Sequence, residues 1–134
     1  MKARLYHLQV NVGDAKTSLP FYRDFFGHLG HRIVSEGVEH LGASDGTATV
    51  WIIATARGRA RTGFHRKNVG LNHLAFRVAT RAAVDACVRD FLVPRGITPL
   101  YDSPKEFPQY RDAYYAVFFE DPDRIKLEVV HIPV

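Results

Sequence analysis

The 134-residue sequence contains one cysteine, one tryptophan and one methionine. With Cys87 alone, no internal disulfide and no thiolate metal cluster can form, and the natural setting for such a chain is a reducing cytoplasm. No apolar run approaches the ~20 residues that span a bilayer, so neither a transmembrane helix nor a membrane partner is expected. The opening residues are charged but no apolar stretch follows them, so a secretory signal is not expected either. Acidic residues are missing from the stretch 57–67, where Arg57, Arg59, Arg61, Arg66 and Lys67 crowd together. That stretch carries Phe64 as its single aromatic, without the stacking platform a nucleic-acid binder needs, so no nucleic-acid partner is expected. It reads as a solvated basic loop, with attraction of an anionic small molecule as the alternative.

What the sequence does have is the material of one globular domain: 46% hydrophobic, 24% charged and 12% aromatic residues, with a net charge of +4. A chain of this length hides roughly 68% of its unfolded surface, enough for a core without staples. It also repeats itself. A shift of 66 residues lays His7–Gly30 over His73–Gly96 without a gap, and seven of the 24 positions are identical: His7/His73, Leu8/Leu74, Val12/Val78, Arg23/Arg89, Asp24/Asp90, Phe25/Phe91 and Gly30/Gly96.

Each copy opens on an alternating strand, Leu5–Val12 and Leu71–Val78, with one apolar face and one face bearing His7 or His73. An amphipathic helix follows, striped by Tyr22, Phe25, Phe26 and Leu29 in the first copy and by Val84, Cys87, Val88, Phe91 and Leu92 in the second. Thr17 or Ser18 is the expected cap of the first helix, with Pro20 within its first turn or so; Thr80 is the expected cap of the second, which Pro94 and Gly96 end. Three strands complete each copy: His31–Glu36, Val38–Ala43 and Thr47–Thr55, then Ile97–Tyr101, Ala113–Glu120 and Ile125–His131. The expected architecture is α+β, two tandem βαβββ modules at about 1–56 and 70–134 joined by a basic linker, 57–69, with the sheets curling around a cavity.

Alternation on the last strand puts Leu127 and Val129 on the helix side and Glu128 on the other. His7, His73 and Glu128 therefore form a candidate 2-His-1-carboxylate set, which holds a divalent ion and leaves open positions for water, substrate or dioxygen. Matching strand ends lays Val50-Trp51-Ile52-Ile53 over Leu127-Glu128-Val129-Val130, so Trp51 stands where a fourth ligand would be. The offset there is 77 instead of 66, and the eleven extra residues fall in Asp102–Asp112, a candidate flap over the cavity. Tyr114 and Tyr115 adjoin, so one of them faces the cavity as a candidate acid or oxyanion donor, while Gln9 on the His7 face is a candidate for orienting substrate. Trp51 and Phe118 are candidate walls for the substrate, and Arg77, on the His73 face, is a candidate anion contact. Of the other histidines, His65 lies in the basic loop, and His28, His31, His40 and His131 have no convergent context and read as surface histidines; Cys87 belongs to the core.

The two histidine strands, Asp14 and Ser18, Phe21-Tyr22-Arg23-Asp24 with Gly27, and Phe119-Glu120-Asp121-Pro122-Asp123 through Leu127-Glu128 resemble the vicinal oxygen chelate superfamily across essentially the whole chain. That superfamily contains glyoxalase I, extradiol dioxygenases, fosfomycin-resistance transferases and bleomycin-resistance proteins. The resemblance implies a homodimer of paired βαβββ modules and a divalent ion (Fe2+, Mn2+, Ni2+ or Zn2+) on His7, His73 and Glu128. It further implies lyase, isomerase or dioxygenase chemistry on a small substrate bound through neighbouring oxygens. The alternative is a non-catalytic drug-binding protein of the bleomycin-resistance kind. Trp51 in the fourth-ligand position disfavours strict glyoxalase I, the dioxygenases' further histidine has no convincing match, and Arg124 stands where the family commonly has Gly.

Overall fold

The computed structural model describes residues 1–134 in two units, Met1–Gly63 and Phe64–Val134. The first holds β1 (His7–Val12), α1 (Ala15–His28), β2 (Arg32–Glu36), β3 (His40–Ser44) and β4 (Thr49–Ala54). The second holds β5 (His73–Val78), α2 (Arg81–Ala86), β6 (Leu100–Glu106), β7 (Tyr115–Glu120) and β8 (Lys126–His131). Each unit is one four-stranded mixed sheet with the same neighbours, β1-β4-β3-β2 and β5-β8-β7-β6, so the first strand lies parallel to the last and the other pairs are antiparallel. This is the α+β, tandem βαβββ architecture expected from the repeat.

In the first unit Tyr22, Phe25 and Phe26 of the α1 stripe are fully buried, seated against the sheet side that carries Val10, Val12, Leu41 and Ile52, while Leu29 at the helix end is half-buried. The helix starts earlier than the sequence signals implied. Asp14, not Thr17 or Ser18, is the cap: its carboxylate accepts from the Lys16 backbone N–H at 3.0 Å and from the Thr17 hydroxyl at 2.8 Å. Pro20 consequently sits in the second turn, where its missing N–H leaves the Lys16 carbonyl without its helical donor. In the second unit Thr80 does cap α2, its hydroxyl accepting from Ala83 N–H at 3.1 Å. The chain then widens into a π-type turn over Cys87–Leu92 and tightens into a 3-10 turn over Val93–Arg95. Cys87, Phe91 and Leu92 are buried, and Phe91 packs on Phe119 of β7 with the rings 6.1 Å apart.

Both helical segments end in the same way. Gly30 and Gly96 adopt left-handed backbone (φ 78° and 66°) and bond back to Gly27 O and Val93 O; His31 and Ile97, one residue on, bond to Phe26 O and Leu92 O. These are paired Schellman closures at equivalent points of the repeat. In the first, the His31 ring also packs on Phe26, with centroids 5.3 Å apart, so His31 is a half-buried closing residue and not merely a surface histidine.

The eleven extra residues of the second copy are divided between strand, over 102–106, and turns, over 107–112. The strand β6 runs into them, bulged between Leu100 and Lys105, and pairs with β7. The Ser103 hydroxyl accepts from Phe118 N–H at 3.0 Å, filling the gap that the bulge opens in the ladder. Phe107 and Tyr110, which follow, stack at 5.6 Å, with Phe107 buried. They complete a second apolar cluster on the sheet side away from α2, made of Phe107, Ala116, Phe118 and Val130 with Leu100, Tyr114 and Ile132 around it.

Candidate functional site

The strand β8 carries Lys126, Glu128 and Val130 on the side away from α2, and β5 and β7 flank it. On that side a pocket of about 270 Å3 opens, lined by Asn72, His73, Tyr110, Tyr114, Phe118, Lys126 and Glu128. Glu128 is 1% exposed, and a carboxylate so deeply placed is costly unless its oxygens are engaged. Both are: Oε2 lies 3.0 Å from His73 Nε2, and Oε1 accepts the Tyr114 hydroxyl in a short hydrogen bond.

The orientation of the imidazole follows from its other nitrogen. Asn72 Nδ2 donates to the Arg66 carbonyl at 3.2 Å, which leaves Asn72 Oδ1 as an acceptor 2.8 Å from His73 Nδ1. The hydrogen therefore belongs on Nδ1, and the Nε2 lone pair faces Glu128. Two acceptor atoms at 3.0 Å call for a shared cation between them, either a proton or a metal ion. An imidazole whose far nitrogen is pinned to an amide oxygen is also how metal-binding histidines are commonly held. Burial, the bond to Glu128 and the charge of that carboxylate all push the Tyr114 hydroxyl above the ordinary tyrosine value, so it keeps its proton and acts as a donor.

The adjoining tyrosines divide as strand alternation requires. Tyr115 turns to the helix side, where its hydroxyl donates to Asp85 at 2.7 Å and Arg81 lies over its ring at 4.9 Å; it has no part in the pocket. Arg77 is also elsewhere, its guanidinium donating to the Ile132 carbonyl at 2.8 Å. Phe118 is in the pocket wall, edge-on to His73 at 6.0 Å. In the first unit His7 and Gln9 are exposed on β1, Tyr6 lies edge-on to His7 at 5.4 Å, and Gln9 donates to Asn11 at 3.3 Å. Trp51 lies over Gly42, where a Cβ would come within 2.5 Å of the indole. Strand register confirms its equivalence to Glu128: Trp51 pairs with Gln9, two residues after His7, as Glu128 pairs with Ala75, two residues after His73.

No three His, Cys, Asp or Glu side chains converge in the structure; the second unit by itself supplies two, His73 and Glu128. Nitrogen and carboxylate oxygen are donors that suit Fe2+, Mn2+, Ni2+ and Zn2+ alike. Asn72, Tyr110 and Lys126 line the pocket without having stood out in the sequence. Asn72 precedes the strand, Tyr110 lies in the inserted stretch, and Lys126 shares the Glu128 face, the one signal from which it was legible.

A paired βαβββ α+β fold, with an imidazole and a buried carboxylate on neighbouring strands of the second module, defines the class of protein. The chain belongs to the Glyoxalase/Bleomycin resistance protein/Dioxygenase superfamily, whose sequence pattern it matches over residues 4–129. It is 32% identical over 126 residues to the uncharacterized protein YqjT of Bacillus subtilis (strain 168), covering 94% of this chain and 97% of that one. Among solved structures, that of a candidate glyoxalase from Bacillus halodurans superposes with a TM-score of 0.86 at 34% identity, covering 96% of this chain and 95% of the other. A glyoxylase/bleomycin resistance protein/dioxygenase domain from Frankia sp. EAN1pec shares the fold with a TM-score of 0.75 at 20% identity, covering 99% and 100%.

Proposed function

We propose that this chain is a divalent-metal-dependent enzyme acting on a small molecule with oxygens on neighbouring carbons, by lyase, isomerase or dioxygenase chemistry. The observation that carries the reading is the pairing of His73 Nε2 with the buried Glu128 carboxylate, both facing one pocket. His73 and Glu128 are two ligands of the ion. His7, which opens β1 as His73 opens β5, is the third by its place in the repeat. The ion, when bound, polarises substrate oxygen as a Lewis acid. Around it, Asn72 fixes the ring of His73, while Tyr114, whose single hydroxyl proton is held by Glu128 Oε1, orients that carboxylate and would donate to substrate oxygen only by turning from it. Phe118 and Tyr110 wall the pocket, and its volume of about 270 Å3 lies just under the roughly 300–1,000 Å3 of drug-sized sites, which fits a small substrate. Trp51 has neither a metal-binding atom nor an exchangeable carboxyl proton, which argues against the four-ligand chemistry of glyoxalase I.

The second reading is a non-catalytic binding protein, favoured by the aromatic wall of Tyr110, Phe118 and Tyr114. In that case Glu128 needs no metal ion, because a proton shared with His73 Nε2 and the Tyr114 hydroxyl engage its two oxygens. Elemental analysis of purified wild type and of the His7→Ala, His73→Ala and Glu128→Ala variants separates the two. The metal reading expects about one transition-metal ion per chain in the wild type and a fall of tenfold or more in each variant. A wild type that takes up no Fe2+, Mn2+, Ni2+ or Zn2+ would leave the binding protein as the function.

A further inference from the structure

Lys126 lines the pocket, and no carboxylate is ion-paired with its ammonium group. Lys126 and Glu128 lie on the same face of β8, yet no ion pair joins them, because Glu128 is engaged by His73 and Tyr114. The cross-strand partner of Lys126 is Glu120, and its carboxylate is committed too, accepting from Arg66 at 2.9 Å and Arg124 at 3.2 Å. What remains to Lys126 is the Tyr101 hydroxyl at 3.3 Å and the faces of the Tyr101 and Phe118 rings, each 5.3 Å from Nζ. Aromatic faces hold a cation in place without neutralising it. The potential nearby is positive enough to act on Tyr101: burial would raise its hydroxyl, but the bonds and charges of Lys126 and Arg66 outweigh burial and lower it. A half-buried cation fixed to the wall of a small pocket, beside a carboxylate already paired, is suited to an anionic ligand.

We propose that the pocket takes a small carboxylate bearing oxygen on the adjoining carbon, a 2-oxo- or 2-hydroxycarboxylate, with Lys126 Nζ donating to a carboxylate oxygen. The oxygen-bearing neighbour rests on the metal reading above; the carboxylate contact does not. Tyr101 and Phe118 are positioning residues here, since their rings hold the ammonium group at the pocket wall.

The test uses metal-stripped full-length protein and pyruvate, with methyl pyruvate as the uncharged counterpart, followed by calorimetry and by two-dimensional NMR of the amides around Tyr114, Phe118 and Lys126. Saturable binding of pyruvate, with at least tenfold weaker binding in Lys126→Met, retention in Lys126→Arg and no binding of methyl pyruvate, supports the proposal. Equal affinity in wild type and Lys126→Met, or equal binding of the ester, overturns it. Metal content measured on the same samples keeps the two claims apart. Lys126-dependent pyruvate binding by a protein that never takes up metal leaves this proposal standing and removes the metal reading. Metal uptake with pyruvate binding indifferent to Lys126 does the reverse.

Discussion

Glu128 Oε1 and Asp85 Oδ1 accept hydrogen bonds from adjacent tyrosines, and the two bonds differ sharply in consequence. Tyr114 bonds to a carboxylate that is 1% exposed, whereas the Tyr115–Asp85 bond lies in solvent. Removing the first hydroxyl strands a buried acceptor, at a cost of about 1–3 kcal/mol; removing the second lets water take its place. Tyr114→Phe is therefore expected to lose about 1–3 kcal/mol in urea unfolding, while Tyr115→Phe stays within about 0.5 kcal/mol of wild type. Similar losses in both would contradict the division of the pair. Burial also pushes the Cys87 thiol up to about 12 from an unperturbed 9.0. The unfolded chain gives up this proton first, so the thiol's contribution to stability is complete below pH 9.0 and is lost as pH rises toward about 12. A Cys87→Ala comparison checks the sign, since the wild type should lose stability with pH more steeply in that window. At this scale strand alternation made much of the site legible, since period two alone turns Glu128 away from the helix and divides Tyr114 from Tyr115. Asn72 and Tyr110 were not legible, because they stand outside the strands, where no period says which way a side chain points. Arg77 shows the limit of the rule: it has the register of His73, but its long side chain reaches the Ile132 carbonyl.

Among the elements, the helix ends are the clearest product of the repeat. Gly30 and Gly96 take the same left-handed conformation, and the next residues close on Phe26 O and Leu92 O at 2.9 and 3.1 Å. A Cβ at either position meets nothing within 4 Å, so the cost of alanine there is conformational. Gly30→Ala and Gly96→Ala should each destabilise by about 1–2 kcal/mol in thermal or denaturant unfolding, and a neutral result at either would mean that its closure is not needed. Helix starts were harder to read than helix ends. Asp14, Thr17 and Ser18 all have side chains that can cap, and only the fold shows that Asp14 engages both the Lys16 N–H and the Thr17 hydroxyl. The inserted stretch was legible in part. Its proline and polar residues signal a loop, and 107–112 do form turns from which Tyr110 lines the pocket, but a bulge lets β6 take up 102–106 while still pairing with β7, and Ser103 fills the gap in the ladder.

Over the whole molecule, one sheet plan serves twice with different side chains away from the helices. In the first unit His7 and Gln9 are exposed there and Trp51 lies over Gly42; in the second, Tyr110, Tyr114 and Phe118 line a pocket around His73 and Glu128. The fold was legible because the repeat, the alternation and the helix stripes agree with one another. The chemistry was legible only as donor types in register, since neither register nor composition reveals which cation His73 and Glu128 share. A direct measurement is titration of Co2+ into metal-stripped wild type and Glu128→Gln, followed by calorimetry and visible absorption. The glutamine keeps the shape of the side chain and removes its charge. One ion per chain in the wild type, with binding at least tenfold weaker in the variant, is the result this account predicts. No binding by the wild type, or equal binding by both, would contradict it.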